Sequence, residues 1–507
     1  MKRFMSGVLL AAAAALAGVA VAPGRALGED SGRDGPSGTV GAQYRAWTTT
    51  VSEFEASPGP DTSWEPGTLV TQRLRVHASG KWAFIEGFLE GDAFHGTLYG
   101  TYPELSAGAV QEAPEGVLGR DAFVPRKAYV EITTPVALLR LGHQTSQWGL
   151  GLLANSGEED PRDLFGQKTC GDIVERALVA TKPFLPFTDG FLKDVILAGG
   201  VDLVYRDENA YLLDDDRAMQ FLGTLVYKTE TTEAGGYVVY RSQEDAGGST
   251  LDVLAVDIAA KTALDLWDQG VLHAAFEAAL LTGETDRTKP YNSPDGADVS
   301  ALAAAARVAL EMKGLAMRFG VEAGYASGDA DLDDPEVSRF RLDPDYNVGL
   351  ILFDHYLYGL SASAPPRATD PAHAAVPPEG LDNLVTGGSV ENACWVAPSL
   401  VWGDTLGPAA GVLALFAWSP SAVASPYETF AAGGAPHGYL GAATHPGDML
   451  GIEVDASARY RERVADTITL EAKVESGVLL PGAAFDNADG TTADAVTLVQ
   501  GRIAVEW

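Results

Sequence analysis

Cysteine, basic residues and long apolar runs are all scarce in this sequence. Only two cysteines occur in 507 residues, Cys170 and Cys394, and their spacing alone does not establish whether they pair. Beyond the first thirty residues no apolar run reaches the ~18 residues of a membrane-spanning helix. The longest covers 409–418. These absences argue against a helical inner-membrane protein.

Lysine and arginine are few relative to the acids. The chain has 35 Lys and Arg against 69 Asp and Glu, a formal net charge of −34. Such acidity argues against nucleic acid as a partner. It suits an exported protein with long solvated loops. Linkers and internal repeats are also missing, so nothing in the pattern divides the chain into separate domains.

The first residues have the features of an export signal. Lys2 and Arg3 precede a short apolar core at 8–21, and Ala26-Leu27-Gly28 offers a small-residue cleavage site. No cysteine follows this core, which excludes a lipoprotein. We predict a signal peptide at 1–28, a periplasmic N-terminal segment at 29–39, and one β-barrel at 40–507.

Apolar and polar residues alternate along most of the remaining chain. Between 468 and 480 the even positions are mainly apolar and most odd ones polar or charged, and 70–78, 315–325 and 450–460 behave alike. A run of about 13 residues exceeds a soluble strand of ~5–6 and suits a tilted membrane strand. A soluble sandwich would show the same alternation, so further features must decide.

Connection lengths and the C-terminal tail favour a membrane barrel. Very short connections such as 79–80 and 313–314 alternate with long acidic ones such as 207–216 and 284–298. The tail resembles the C-terminal signal of bacterial outer-membrane proteins, with Ile503, Val505 and Trp507 as its members. We therefore predict an all-β fold, a transmembrane antiparallel barrel of about 18 strands (16–18) in the outer membrane of a Gram-negative-type cell. Its partners would be outer-membrane lipid and the β-barrel assembly machinery.

The requirement for an even number of strands indicates that one candidate strand is a helix. A first count gives nineteen candidate strands, whereas a barrel with both termini in the periplasm needs an even number. Segment 350–363 does not alternate, and Leu350, Phe353 and Leu357 instead follow helical spacing. We assign it to a short helix within a large outer-loop insertion at about 327–388. These three side chains are the predicted constriction of the lumen.

Two motifs carry a family resemblance. The run Arg-Leu-Gly-His-Gln at 140–144 leads into Trp-Gly-Leu-Gly at 148–151, and Glu-Ala-Gly-Tyr-Ala-Ser-Gly-Asp occupies 322–329. Both resemble porin-type barrels of the alginate-export family. That resemblance implies eighteen strands and an arginine-lined pore for an anionic polysaccharide. The predicted lumen departs from it by mixing basic and acidic residues, so the substrate does not carry over.

The polar faces of the strands supply the predicted pore lining: Arg73, Arg75, His77, Lys127, Glu131, Arg140, Arg318, Glu322, Glu453, Asp455, Arg459, Glu471, Lys473, Glu475 and Arg502. Interleaved charges can create a transverse field that selects small polar solutes. They can equally be cross-strand ion pairs that fill the interior. The stripe of Arg73, Arg75 and His77 is the best candidate for contacting an anion.

Metal and catalytic motifs are weak. Asp329, Asp331 and Asp333 are a poor calcium candidate, because the following residues break the EF-hand pattern. Gly-x-Ser-x-Gly and His-Glu-x-x-His do not occur, and the histidines are scattered. We predict no cofactor, no metal and no enzyme activity.

The favoured function is a porin-like channel for small polar or anionic solutes. A plugged barrel with a structural or surface-adhesion role is the alternative, and an outer-membrane hydrolase is a lesser one.

Overall fold

The computed structural model describes residues 36–58, 63–64, 67–100, 120–168, 171–289, 293, 295–368 and 380–507. The predicted signal peptide and Cys170 lie outside these residues. Strands dominate the described chain, as the period-two pattern predicted. None of the described helices combines the length and apolarity needed to cross a bilayer.

Long strands form one sheet that closes on itself. They are β1 (Ser37–Val51), β2 (Gly67–Trp82), β3 (Ile85–Gly100), β4 (Arg120–Thr133), β5 (Leu138–Thr145), β6 (Ile173–Thr181), β7 (Val195–Arg206), β8 (Arg217–Lys228), β9 (Thr232–Glu244), β10 (Thr250–Trp267), β11 (Gly270–Thr285), β12 (Ala297–Met312), β13 (Met317–Ala326), β14 (Ala393–Gly403), β15 (Gly407–Trp418), β16 (Met449–Ala465), β17 (Ile468–Pro481) and β18 (Val496–Glu506). Each pairs antiparallel with its sequence neighbour, and β18 pairs with β1. The result is a closed 18-strand barrel, which confirms the predicted fold class.

Strand β1 begins earlier than the alternation indicated. Ser37 to Thr39 pair with Ser79 to Lys81 of β2, although the expected strand started at residue 40. This stretch lacks large apolar side chains, so it carries no period-two signal. Backbone pairing alone extends the strand.

Most connections at one end of the barrel are short, and most at the other end are long. The short ones, such as 83–84, 268–269 and 466–467, lie at the same end as the start of β1 and the end of β18, together with the longer connection 182–194. The long ones, including 146–172 (here the 146–172 loop) and 327–392 (the insertion), lie at the other end. We call these ends inner and outer. The first and last strands therefore start and end on one side, as strand parity required.

Segment 350–363 is helical, as its spacing predicted. A π-helix at Leu352–Leu357 continues into α-helices at Tyr358–Ala362 and Ala364–Ala368. A further α-helix covers Pro426–Ala431, and single helical turns cover Phe191–Asp194, Leu212–Asp214, Lys313–Leu315, Leu381–Leu384 and Ala483–Phe485. Two-residue strands at Phe54–Glu55 and Ser63–Trp64 pair with each other, and Glu336–Val337 joins the edge of β12 in parallel.

The barrel is apolar outside and polar inside. On β17, Leu470 and Val474 are exposed, whereas Lys473 and Glu475 between and beyond them are buried. Exposed aromatic side chains cluster beside the short inner connections: Trp82, Phe84, Phe187, Phe191, Trp267 and Trp402. Aromatic girdles of this kind occur where a barrel meets the membrane–water interface. The surface is that of a transmembrane β-barrel.

The main hydrophobic core lies inside the barrel. Leu350, Phe353 and Leu357 of the insertion belong to it, together with wall residues such as Trp395 and Leu415. An 18-strand barrel is wide enough for an aqueous lumen unless loops enter it. Here the insertion enters and buries its apolar side chains against the wall.

Candidate functional site

Two wall carboxylates hold the inward-folded loops through backbone amides. Glu453 on β16 accepts hydrogen bonds from the amides of Leu350, Ile351 and Leu352 at 2.5, 2.8 and 2.8 Å. These amides lie at the start of the helix, where N–H groups have no partner within the helix. A buried carboxylate therefore fixes the start of the insertion helix to the wall.

Glu277 on β11 does the same for the 146–172 loop. Its carboxylate accepts hydrogen bonds from the amides of Leu150, Gly151 and Leu152, the last two at 3.0 and 3.1 Å. Trp148 of the same loop donates its indole N–H to Asp257 at 2.8 Å. The Trp-Gly-Leu-Gly motif is therefore a loop segment that attaches to the lumen wall.

A third attachment lies deeper in the same loop. The amide of Gly166 donates to Glu475 at 2.9 Å, and Lys473 Nζ donates to the carbonyls of Leu164 and Gly166 at 3.3 and 3.2 Å. Lys473 also pairs with Glu475 at 2.9 Å. These predicted lining residues thus bind the loop instead of facing open water.

Arginines from three adjacent strands lie close together inside the barrel. Arg45 on β1 lies opposite Arg73 on β2, and Arg502 on β18 lies opposite Trp47. Glu159 of the 146–172 loop reaches them, with its two oxygens 2.6 Å from Arg45 Nη1 and 2.6 Å from Arg502 Nη1. All these side chains are largely buried. We call Arg45, Arg73 and Arg502 the arginine row.

A cavity of about 230 Å³ opens outward of this row. Its lining includes Trp47, Thr71 and Gln500, each two residues outward of an arginine-row member on its strand. A step of two residues in a strand is about 7 Å and keeps the same face. The arginine row, with Glu159 bound to it, therefore lies just inward of the cavity.

The opposite side of the cavity is acidic. Asp172, Glu208 and Asp343 come from three different connections, and their oxygens lie within 4.8 Å of one another. Carboxylates so placed could hold a divalent cation. Lys168, Arg206 and Arg341 also line the cavity, which gives it both signs of charge.

Carboxyl groups in the loops have displaced pKa values. Burial and the nearby Asp207 carboxylate raise the pKa of Glu208 to about 7. Burial, with repulsion from Asp343, raises the pKa of Asp172 well above its usual range. Glu159 behaves oppositely, because attraction to Arg502 and Arg45 outweighs its burial and lowers its pKa. Glu159 is therefore a carboxylate at neutral pH, whereas Glu208 titrates near it.

The other predicted lining residues form separate ion pairs. Arg75 pairs with Asp92 at 2.7 Å, Glu131 with Arg140 at 2.7 Å, Glu322 with Arg307 at 2.5 Å, and Glu471 with Arg502 at 2.5 Å, while Lys127 pairs with Glu90 and Glu158. Asp455 is buried beside Glu453, Arg459 donates to the carbonyls of Pro161 and Asp404, Arg318 is half-buried, and His77 is exposed near the inner end. Glu471 joins the arginine row through Arg502, and Arg75 shares Asp92 with Arg73. The others lie around the wall and do not meet in one site.

The weak calcium candidate is occupied by its own backbone. Asp329 accepts from the amide of Asp331, and Asp331 accepts from that of Asp333, at 3.2 and 3.1 Å. Among the residues that the structure describes, the carboxylates whose oxygens converge closely enough to bind one metal ion are those of Asp172, Glu208 and Asp343. These come from distant connections, so no spacing in the sequence could have grouped them.

Several site residues carried no readable sequence signal. Arg45 and Glu277 lie on inward faces of strands whose alternation was weaker, and each is an isolated charge in its stretch of sequence. Glu159 sits in a short acidic stretch of the 146–172 loop, which is indistinguishable from a solvated loop. Its role depends on the loop folding inward.

Comparison with known proteins gives a fold likeness only. No family model and no curated protein sequence matches this chain. The structure is similar to OccAB1 of Acinetobacter baumannii, with a TM-score of 0.50 and 9% identity over 92% of this chain and 96% of that one. It is also similar to the outer membrane protein OprD of Pseudomonas aeruginosa, with a TM-score of 0.49 and 11% identity over 93% and 92% of the two chains. The chain is thus a transmembrane β-barrel, a class found in the outer membranes of Gram-negative bacteria.

Proposed function

We propose that this protein is an outer-membrane channel that passes small polar solutes bearing a negative charge. The observation that carries the proposal is the outer cavity lying directly over the arginine row. A solute entering from outside first meets a cavity whose lining includes charged side chains. It next meets a cluster of guanidinium groups, each with a carboxylate partner. Rings and rows of arginine select anions in pores.

The two inward loops supply selectivity in this proposal. Without them, an 18-strand barrel would have a wide water-filled lumen. Leu350, Phe353 and Leu357 hold the insertion inside the barrel, because a helix with an apolar face must bury that face. We infer that the insertion and the 146–172 loop together narrow the passage.

Deleting 330–386 and bridging the ends with a short Gly/Ser segment tests this role. Single-channel conductance in a planar bilayer should rise severalfold, while strand content by circular dichroism stays nearly constant. Deleting only the exposed hairpin tip 246–248 is the matched control and should leave conductance unchanged. A folded deletion variant that conducts no better than the intact protein would overturn the constriction.

A plugged barrel with a structural or surface-adhesion role is the second candidate. The dense apolar packing of the insertion inside the barrel favours it. It predicts an intact protein that does not conduct and a deletion variant that does. A proposed channel function requires conductance from the intact protein.

Three finer proposals accompany the channel. The barrel is not an enzyme, a proposal supported by the engagement of inward carboxylates in ion pairs or in hydrogen bonds to loop amides. The alginate-export resemblance concerns architecture and not substrate, because acids alternate with the arginines in the lumen. Ile503, Val505 and Trp507 are read by the assembly machinery, and the Trp507 amide donates to Ala42 where β18 closes on β1.

A further inference from the structure

Glu159 occupies the place that an anionic solute would need. Its carboxylate bridges Arg45 and Arg502, whose side chains are 11% and 7% exposed. Bidentate and bridging guanidinium contacts are the geometry by which proteins recognise carboxylates. A solute carboxylate moving inward from the cavity along β1, β2 and β18 reaches the same two guanidinium groups. Glu471 holds Nε and Nη2 of Arg502 throughout. The Nη1 groups of Arg45 and Arg502 can bind Glu159 or the solute carboxylate, but not both.

The segment that carries Glu159 is more exposed than the residues on either side of it. Residues 164 and 166 on one side and 154–157 on the other are buried, whereas 158 and 161–163 are exposed. Arg162 pairs with the neighbouring Asp160, and their side chains are 54% and 38% exposed. The stretch 158–163 can therefore move without exposing apolar core, once the Lys127–Glu158 pair and the Arg459 hydrogen bond to the Pro161 carbonyl open. Its flanks remain attached to the wall through Glu277 and Glu475.

We propose that Glu159 is an internal stand-in for the solute, so that the arginine row is a carboxylate-binding site closed by the protein's own side chain. An entering carboxylate displaces Glu159, the stretch 158–163 shifts, and the solute passes inward. The inference rests on the proposed channel function and adds the chemical class of its solute, a small carboxylate. Chloride would compete less well, because a single atom cannot place one oxygen on each of the two guanidinium groups.

Glu159→Gln tests the stand-in, with acetate as the probe. The variant keeps the shape of the side chain and removes its charge, so acetate meets no competing carboxylate. Acetate binding, measured from its reduction of single-channel current at low ionic strength, should tighten about tenfold or more. The magnitude follows because a tethered competitor acts at an effective concentration in the millimolar range or above.

Glu158→Gln is the matched control, because Glu158 pairs with Lys127 and does not touch the arginine row. Its acetate affinity should equal that of the intact protein. The double variant Glu159→Gln/Arg502→Gln should lose the gain. Chloride in place of acetate should show a much smaller effect of Glu159→Gln.

The possible results distinguish a failure of this inference from a failure of the proposed channel function. If the intact protein conducts and Glu159→Gln binds acetate no more tightly, the stand-in is wrong and the channel stands. If the intact protein does not conduct, the channel function is wrong, whatever the 330–386 deletion does. Should Glu159→Gln fail to form a barrel, Glu159→Asp replaces it. Its shorter side chain cannot bridge both arginines, so acetate should again bind more tightly, and unchanged affinity there would overturn the inference.

Discussion

Removing the Glu453 carboxylate should release the insertion from the barrel wall. Three backbone amides, those of Leu350, Ile351 and Leu352, donate to this one buried side chain. Glu453→Ala leaves all three without their acceptor inside the lumen. A hydrogen bond to a charged group contributes about 1.5–3 kcal/mol, and unpaired buried amides cost a comparable amount.

The size of the effect depends on what replaces the carboxylate. Water entering the vacated space can hydrate some of the amides, so the smallest expected loss is two such bonds, about 3 kcal/mol. That corresponds to a shift of roughly 100-fold in the equilibrium between docked and released insertion. Apolar burial of Leu350, Phe353 and Leu357 opposes release with about 1.5–3 kcal/mol for each side chain. The insertion should therefore open transiently rather than remain displaced.

Two measurements check this reasoning. Amide hydrogen exchange at 350–352 should accelerate by roughly the same 100-fold factor, since exchange reports the open population. Single-channel records should show new transitions to higher conductance. Glu462→Ala, a substitution of an exposed residue on the same strand, should change neither. Unchanged exchange at 350–352 in a folded Glu453→Ala barrel would refute the assigned role of Glu453.

Two other predictions concern the lipid face and pH. Val474→Arg places a charge on the membrane-facing side of β17 and should destabilise the barrel by about 2–4 kcal/mol, against a much smaller loss for Val474→Ala. Equal losses in urea titrations would mean that this face does not contact lipid. Glu208, with its pKa raised to about 7, is mostly protonated near pH 6 and ionised near pH 8. The cavity should therefore become more cation-selective as pH rises, by reversal potential, and Glu208→Gln should lose that dependence.

The alternating residue pattern was sufficient to predict the barrel, because each membrane-spanning strand is constrained by its own local sequence. Every backbone group of a spanning strand must pair with a neighbour, and one face must be apolar, so Leu470 and Val474 against Lys473 and Glu475 already fix which side faces lipid. Parity of the strand count then removed 350–363 from the sheet. That deduction needed no knowledge of side-chain contacts.

The candidate site, in contrast, depends on where the long loops fold. Glu159 and Asp343 are far from Arg45 and Asp172 in sequence, and nothing in the local pattern distinguishes an acidic loop in water from one that enters the lumen. Of the predicted stripe, Arg73 and Arg75 stay together on Asp92, at 4.0 and 2.7 Å, and His77 lies apart. Arg73 lies in the arginine row, Arg75 pairs with Asp92, and His77 stays near the inner end.

The sequence by itself determined the strands, their facing and the helix of the insertion, because each follows from a short-range period imposed by lipid and backbone pairing. Tertiary structure alone decided that Glu277, Glu453 and Glu475 bind loop amides and that Glu159 covers the arginine row. Those contacts join residues from distant connections, and their energies depend on burial inside the barrel, where an unpaired carboxylate or amide is costly.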